Sequence, residues 1–223
     1  MKNYNSNFKT LAFGILVLLM IQFQACDDGC EDDDNNNTCD TCMVAYKPNI
    51  YLYPEESTHL EVSIDFPIGG QIVASIPTYG NFWSVNVEPS GLINNAYDYL
   101  FYESKQPNVW QTERGWCIKK ENLQLFFNED LKNYGFNDAE IADFTEYWIP
   151  RLNESQFYNI YPQESTIINN VIQLNISQTP DNVLRLFYFI HKSNVEQEIN
   201  QPSFPQSFKR EGFVLAEWGV ILD

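Results

Sequence analysis

Cys117, His191, Glu103, Glu217 and Arg151 are the residues of this chain whose types and settings could do chemistry, because each interrupts or borders an apolar stretch. Cys117 lies in Gly115-Trp-Cys-Ile118 and His191 follows the run Leu184–Ile190. A thiol nucleophile with an imidazole base can be drawn from them, with a carboxylate such as Glu103 or Glu217 orienting the ring. Against it, a Cys between Trp and Ile commonly serves as a small buried hydrophobe. Glu103 and Glu217 also make a carboxylate pair, which with Arg151 after the helix-ending Pro150 would suit glycoside hydrolysis or a charged ligand. A buried Arg151–Glu217 ion pair would instead be structural. Trp83, Trp110 and Trp116 are the candidate ligand-binding aromatics, since flat rings supply contact area at little entropic cost. Trp110 sits in the polar segment 103–114 and is expected outside the core, while Trp83, Trp148 and Trp218 are expected to pack the interior.

Other chemistry is excluded by composition. With 30 acidic and 13 basic side chains the formal charge is −17, so nucleic acid would be repelled. The chain has no glycine-rich phosphate loop, nucleophile elbow or paired-His metal motif, and only 2 histidines, so neither a cofactor nor a metal is called for.

The N-terminal part reads as an address. Lys2 and Lys9 precede the apolar run Leu11–Ile21, a secretory signal layout over residues 1–25. As a helix that run rises about 17 Å, against roughly 30 Å of bilayer hydrocarbon, so it is too short for a permanent span. Phe23-Gln24-Ala25-Cys26 then resembles the lipobox of bacterial lipoproteins, with Phe where the family usually has Leu. The resemblance implies diacylglycerol on the Cys26 sulfur, an acyl chain on its amine, and enough chains together for stable membrane anchoring. It implies a place in the cell envelope. Acids directly after Cys26 resemble a surface-export signal, with the outer membrane and its surface as the expected destination, while an Asp next to the lipidated Cys is also an inner-membrane retention signal, so the leaflet stays open. Residues 26–43 read as a disordered acidic tether, unable to offset ordering entropy by burying surface. Asp32, Asp34 and Asn36 alternate like calcium ligands but lack the turn glycine and the distal Glu of a calcium loop. Cys39-Asp-Thr-Cys42 is a lone Cys pair without a redox or zinc context. With Cys26 lipidated, Cys30, Cys39, Cys42 and Cys117 permit two disulfides in three connectivities.

Residues 44–223 are expected to form one α+β domain of mostly antiparallel sheet with an inserted pair of helices: β-rich 44–118, helical 120–150, β-rich 157–223. In His59–Phe66 the apolar residues alternate with polar ones, as in a half-buried strand. Strands are also read at 49–53, 71–76, 82–87, 97–103, 157–161 and 172–176. The apolar runs at 183–191 and 212–222 suit central positions. Leu123, Phe127, Leu131 and Tyr134 recur at helical spacing before Gly135, a helix-ending glycine. Asn137-Asp-Ala-Glu140 opens a second helix with a capping-box pattern, and Pro150 ends it. The Pro-containing stretch 201–207 reads as a loop. Three segments, Lys47-Pro-Asn-Ile-Tyr-Leu-Tyr-Pro54, Tyr147-Trp-Ile-Pro-Arg-Leu152 and Glu211-Gly-Phe-Val-Leu-Ala-Glu-Trp-Gly219, resemble the landmarks of a family of bacterial envelope proteins with no assigned activity. The expectation is a lipid-anchored module binding a glycan or an envelope protein, the rival being an envelope hydrolase that uses the carboxylates or the Cys/His pair.

Overall fold

The computed structural model describes residues 42–203 and 208–223. The expected signal segment, the expected lipidation site Cys26, the acidic tract with its calcium-like alternation, and residues 204–207 lie outside the described residues. The elements are β1 (Cys42–Tyr53), β2 (Thr58–Asp65), β3 (Gln71–Ile76), β4 (Trp83–Val87), β5 (Leu100–Pro107), β6 (Trp116–Lys119), α1 (Leu123–Tyr134), α2 (Asp138–Trp148), β7 (Phe157–Glu164), α3 (Ser165–Val171), β8 (Gln173–Ile176), β9 (Asn182–Ser193) and β10 (Val214–Leu222). The first strand begins at Cys42, two residues inside the expected tether, because Cys42 and Met43 pair with Pro107 and Gln106.

A seven-stranded sheet in the order β3-β5-β1-β10-β9-β7-β6 forms the middle layer, and a three-stranded sheet, β4-β2-β8, lies over one of its faces. Leu60, Val62 and Ile64 of β2, Val85 and Val87 of β4, and Ile168 and Val171 of α3 share one core with Ile50, Leu52, Phe187 and Leu215 of the large sheet. The opposite face packs on the helix pair: Leu123, Phe127, Leu131, Phe144 and Trp148 share a second core with Leu186, Tyr188, Ile190 and Trp218. Covered on both sides, β9 and β10 have no polar face to show, which explains their apolar runs, broken only where Arg185 and Glu217 pair. They pair in parallel, the rest of the described ladders being antiparallel.

The helices are set by local chemistry. Gly135 adopts φ 110° and its amide closes on Leu131 and Lys132, ending α1. The capping box of α2 is complete: the Asn137 side chain accepts from the Glu140 amide at 2.9 Å and the Glu140 carboxylate accepts from the Asn137 amide at 2.8 Å. Arg210 closes on the same buried carboxylate with two nitrogens at 2.8 and 3.1 Å, neutralising it. Burying Phe144 completely contributes about 2 to 3 kcal/mol of apolar transfer.

One irregularity reorganises β1. Its pairing with both neighbours slips between Tyr46 and Asn49, and Lys47 adopts φ 56°. The extra residue of this bulge inverts the alternation of the strand. Before it, Met43 and Ala45 face the small-sheet core; after it, Ile50 and Leu52 do. Tyr51 and Tyr53 are thereby turned toward the helices.

Candidate functional site

The pairs drawn from the sequence do not form. Glu217 belongs to the small-sheet face, where Arg185 takes one oxygen and the Tyr102 hydroxyl donates to the other at 2.8 Å. Glu103 neighbours Tyr102 in an extended strand and so points to the helix face, putting the thickness of the sheet between the two carboxylates. Arg151 is not with Glu217 either: its guanidinium lies 3.6 Å from the ring centre of Tyr147 and donates to the Tyr147 carbonyl at 2.6 Å.

Cys117 and His191 do share one row. Cys117 stands opposite Asn159, and Asn159 opposite His191, across β6, β7 and β9. Two strand spacings, about 10 Å, separate the thiol strand from the imidazole strand, and Asn159 fills the gap, so no dyad exists. The imidazole pairs with Asp223 at 2.7 Å instead, and the Cys117 sulfur accepts the Gln197 amide at 3.3 Å on the wall of a groove of ≈ 500 Å³. Cys117 is a free thiol while Cys42 is disulfide-bonded, which removes Cys117 from the two-bridge scheme.

Among the tryptophans, Trp110 is buried, correcting its expected place outside the core. Gln163, itself fully buried, accepts from the Gln111 amide and donates to the Gln111 carbonyl, each at 2.9 Å, and this clamp folds Trp110 inward against Phe187. Trp83 is core as well, packed edge-on to Tyr79, so it offers no ligand platform. Trp148 and Trp218 are interior as expected. Trp116 is half-buried at the β6 edge, its ring against Phe126 at 5.1 Å.

What the structure assembles is centred on Lys47, which sequence reasoning quoted only as part of a landmark. The bulge projects its ammonium over the rings of Tyr99, Phe101 and Tyr147, at 4.6, 4.9 and 5.3 Å from their centres. Such cation–ring contacts stabilise by roughly 0.5 to 2 kcal/mol each, depending on desolvation. The ammonium donates to Asn49 Oδ1 at 3.2 Å and to the Tyr99 hydroxyl at 3.1 Å. Asn49 Nδ2 donates to the Tyr51 hydroxyl, which donates to Asp143 Oδ2 at 2.9 Å. This chain of bonds runs from the bulge to α2 and fixes the amine from below. The carboxylate of Glu103 lies on the same face of the sheet, close enough to Lys47 for its charge to act on the amine.

The electrostatics follow from half-burial. Loss of solvent lowers the Lys47 amine to about 8; Asp143 and Glu103 oppose the shift and the Arg151 charge adds to it. Burial raises Asp143, against the Tyr51 hydrogen bond and the Lys47 charge, and raises Glu103 against the Lys47 amide and charge. Among the described residues no carboxylate lies within ion-pair distance of Lys47 or Arg151, although acids outnumber bases 30 to 13. The two cations share a single ring, Tyr147, at the exposed end of α2.

All three landmark segments meet here: Lys47, Asn49 and Tyr51 from the first, Tyr147 and Arg151 from the second, and Trp218 from the third, its ring 6.4 Å from Tyr51. The readable signal was the misfit of Lys47-Pro48 with the alternation on either side. Comparison with family models, with curated proteins and with solved structures finds no match to this chain.

Proposed function

We propose that the protein is a lipid-anchored binding module of the bacterial cell envelope, tied to the membrane through Cys26, and that the Lys47–Arg151 surface receives a glycan. The observation that carries the reading is two cations held against aromatic faces with no carboxylate within ion-pair distance among the described residues, in a strongly acidic chain. Sugars suit such a surface, because their hydroxyls take hydrogen bonds from ammonium and guanidinium groups and give them to carboxylates such as Asp143 and Glu103, while their apolar faces lie on rings. The hydrolase alternative has lost both of its constellations, the carboxylate pair and the thiol dyad. An envelope protein as ligand would need a broad apolar patch around Arg151, and the large exposed apolar side chains nearest in sequence, Leu125 and Val183, lie outside the ring cluster.

Two measurements test this. Titration of the purified chain with fragments of envelope polysaccharide, followed by calorimetry, is expected to show saturable binding that Arg151→Ala and Tyr147→Ala each weaken at least about tenfold. Binding unaffected by either variant would remove the site from the reading. For the anchor, the mature N-terminal peptide is expected to carry acyl mass on Cys26, and Cys26→Ser to yield an unprocessed or soluble protein; an unmodified Cys26 in the wild type would retire the lipoprotein reading.

A further inference from the structure

Lysine amines are ordinarily protonated and solvated, and the described lysines Lys105, Lys119, Lys120, Lys132, Lys192 and Lys209 are all exposed. Lys47 differs in three ways that geometry alone defines. Its nitrogen is walled by three rings, it is tethered at two points rather than free to rotate, and one of those points is a hydroxyl able to pass a proton. A desolvated, oriented amine beside a second cation is the arrangement that makes lysine a nucleophile toward carbonyl carbon.

We propose that Lys47 captures aldehydes as a reversible imine, the substrate class being a carbonyl compound such as the open-chain end of a reducing sugar. The proposal rests on the reading of this surface as the ligand site. In the step, the ammonium nitrogen first sheds a proton, and its lone pair then attacks the carbonyl carbon. The C=O π pair moves to oxygen, which takes a proton relayed by the Tyr99 hydroxyl, 3.1 Å from the amine. The carbinolamine nitrogen then forms the C=N bond as the hydroxyl leaves with a proton as water. Amine and aldehyde thus give imine and water, with no oxidant or reductant, and hydrolysis reverses the step. The walls of Tyr99, Phe101 and Tyr147 slow that hydrolysis by limiting water at the adduct.

An amine titrating near 8 is neutral to roughly a quarter at pH 7.5, against about a thousandth for an ordinary lysine. Its lower basicity offsets part of that gain, leaving Lys47 about tenfold faster than exposed lysines. The test treats the full mature chain at pH 7.5 with glycolaldehyde and cyanoborohydride, which fixes any imine as a secondary amine, and maps modified peptides by mass over time. The expected result is that Lys47 is labelled about tenfold faster than Lys105 and Lys132, with a rate that rises through pH 8 and then levels. Tyr99→Phe is expected to slow Lys47 while leaving Lys105 and Lys132 unchanged. Labelling of Lys47 no faster than of the exposed lysines, in a protein whose fold is intact by circular dichroism, overturns the proposal. A methyl glycoside, which has no free aldehyde, separates the two readings in calorimetry. Glycoside binding without Lys47 labelling overturns the imine and leaves the binding surface; labelling without glycoside binding upholds the imine and retires the glycan surface.

Discussion

On the small-sheet face of the seven-stranded sheet, Arg185 meets Glu217 directly, and the pair is closed in by Tyr102, by Asn169 at 2.5 Å and by the Ile172 carbonyl at 2.7 Å. On the helix face of the same sheet, Lys47 meets three rings, one amide oxygen and one hydroxyl, and Arg151 meets one ring and one carbonyl. The sealed cluster draws on β5, β9 and β10 and the open one on β1, β5 and α2, and both contain a cation and a carboxylate. They differ in what answers the charge. Arg185 and Glu217 neutralise each other with side chains 2% and 0% exposed, so the charges need nothing from outside, although Arg185 Nη2 has no hydrogen-bond partner among the described residues. Lys47 and Arg151 are left facing π clouds, which lower the cost of a cation without cancelling its charge. A sealed ion pair argues for structure, whereas a cation braced by rings beside solvent argues for a ligand.

Breaking the sealed pair is expected to have the largest effect. Arg185→Met leaves Glu217 charged and without its cation in the core, which costs about 3 to 5 kcal/mol and shows as a large fall in the urea midpoint. Adding Glu217→Met to the same chain is expected to recover most of that loss, because an apolar pair of similar volume needs no compensation. If the double variant is as unstable as the single one, the network carries more than its own neutralisation and the contrast with Lys47 weakens.

A third buried carboxylate sharpens the rule. Asp130 of α1 is buried with no cation paired to it among the described residues, where the Tyr188 hydroxyl holds it at 2.6 Å, and burial raises it to about 6 despite that bond. Its folded pKa lies above its unfolded value near 3.8, so the folded state binds the proton more tightly between those limits. This group therefore favours the fold below pH 4 and loses that contribution as pH rises through 6. Asp130→Asn is expected to abolish that decline and to be more stable than the wild type at pH 7 by about 2 kcal/mol, read from urea unfolding at pH 4 and pH 7. Equal pH slopes in the two proteins would mean that Asp130 titrates alike in the folded and unfolded states.

What was legible in the sequence is what short-range chemistry decides. The capping box at Asn137 and Glu140, the left-handed Gly135, the alternation of Leu60, Val62 and Ile64 and the apolar runs of β9 and β10 each carry their cause within a few residues. The missed elements depend on partners far along the chain. Helix α3 is only Ser165–Val171, too short to show a period, and it holds because Ile168 and Val171 fill the small-sheet core. Trp110 looked exposed because its neighbours are polar, but Gln163, in a distant strand, is what draws it in. Glu103 and Glu217 both looked like site residues; only the pleat and the strand order separate them by a sheet. The Lys47 site was half visible, since its segments stand out as landmarks and Lys47-Pro48 breaks the alternation on either side, yet the rings that surround the amine come from the start of β5 and from α2, far along the chain.

Smaller effects distinguish the open cluster from the sealed one. Tyr51→Phe removes the hydroxyl that accepts from Asn49 and donates to Asp143, and is expected to cost about 1 kcal/mol of stability, since Asp143 is half-buried and water reaches part of it. The same variant frees the Lys47 tether, so glycan affinity is expected to fall along with stability.

Arg151→Ala is expected to do the least to the fold and to decide the most. Its side chain is exposed, it makes no ion pair among the described residues, and its one intramolecular hydrogen bond goes to a helix-end carbonyl that water can satisfy. Stability should therefore change by less than about 0.5 kcal/mol, within the usual range for a surface substitution. Its stacking on Tyr147 leaves most guanidinium donors unused by the protein, and those donors are what a ligand would engage. A chain with wild-type unfolding and greatly weakened glycan binding would show that the charge left open on the helix face is there for a partner. A chain that unfolds much earlier would instead make Arg151 the peg that holds the end of α2, and the two faces of the sheet would then differ in exposure alone.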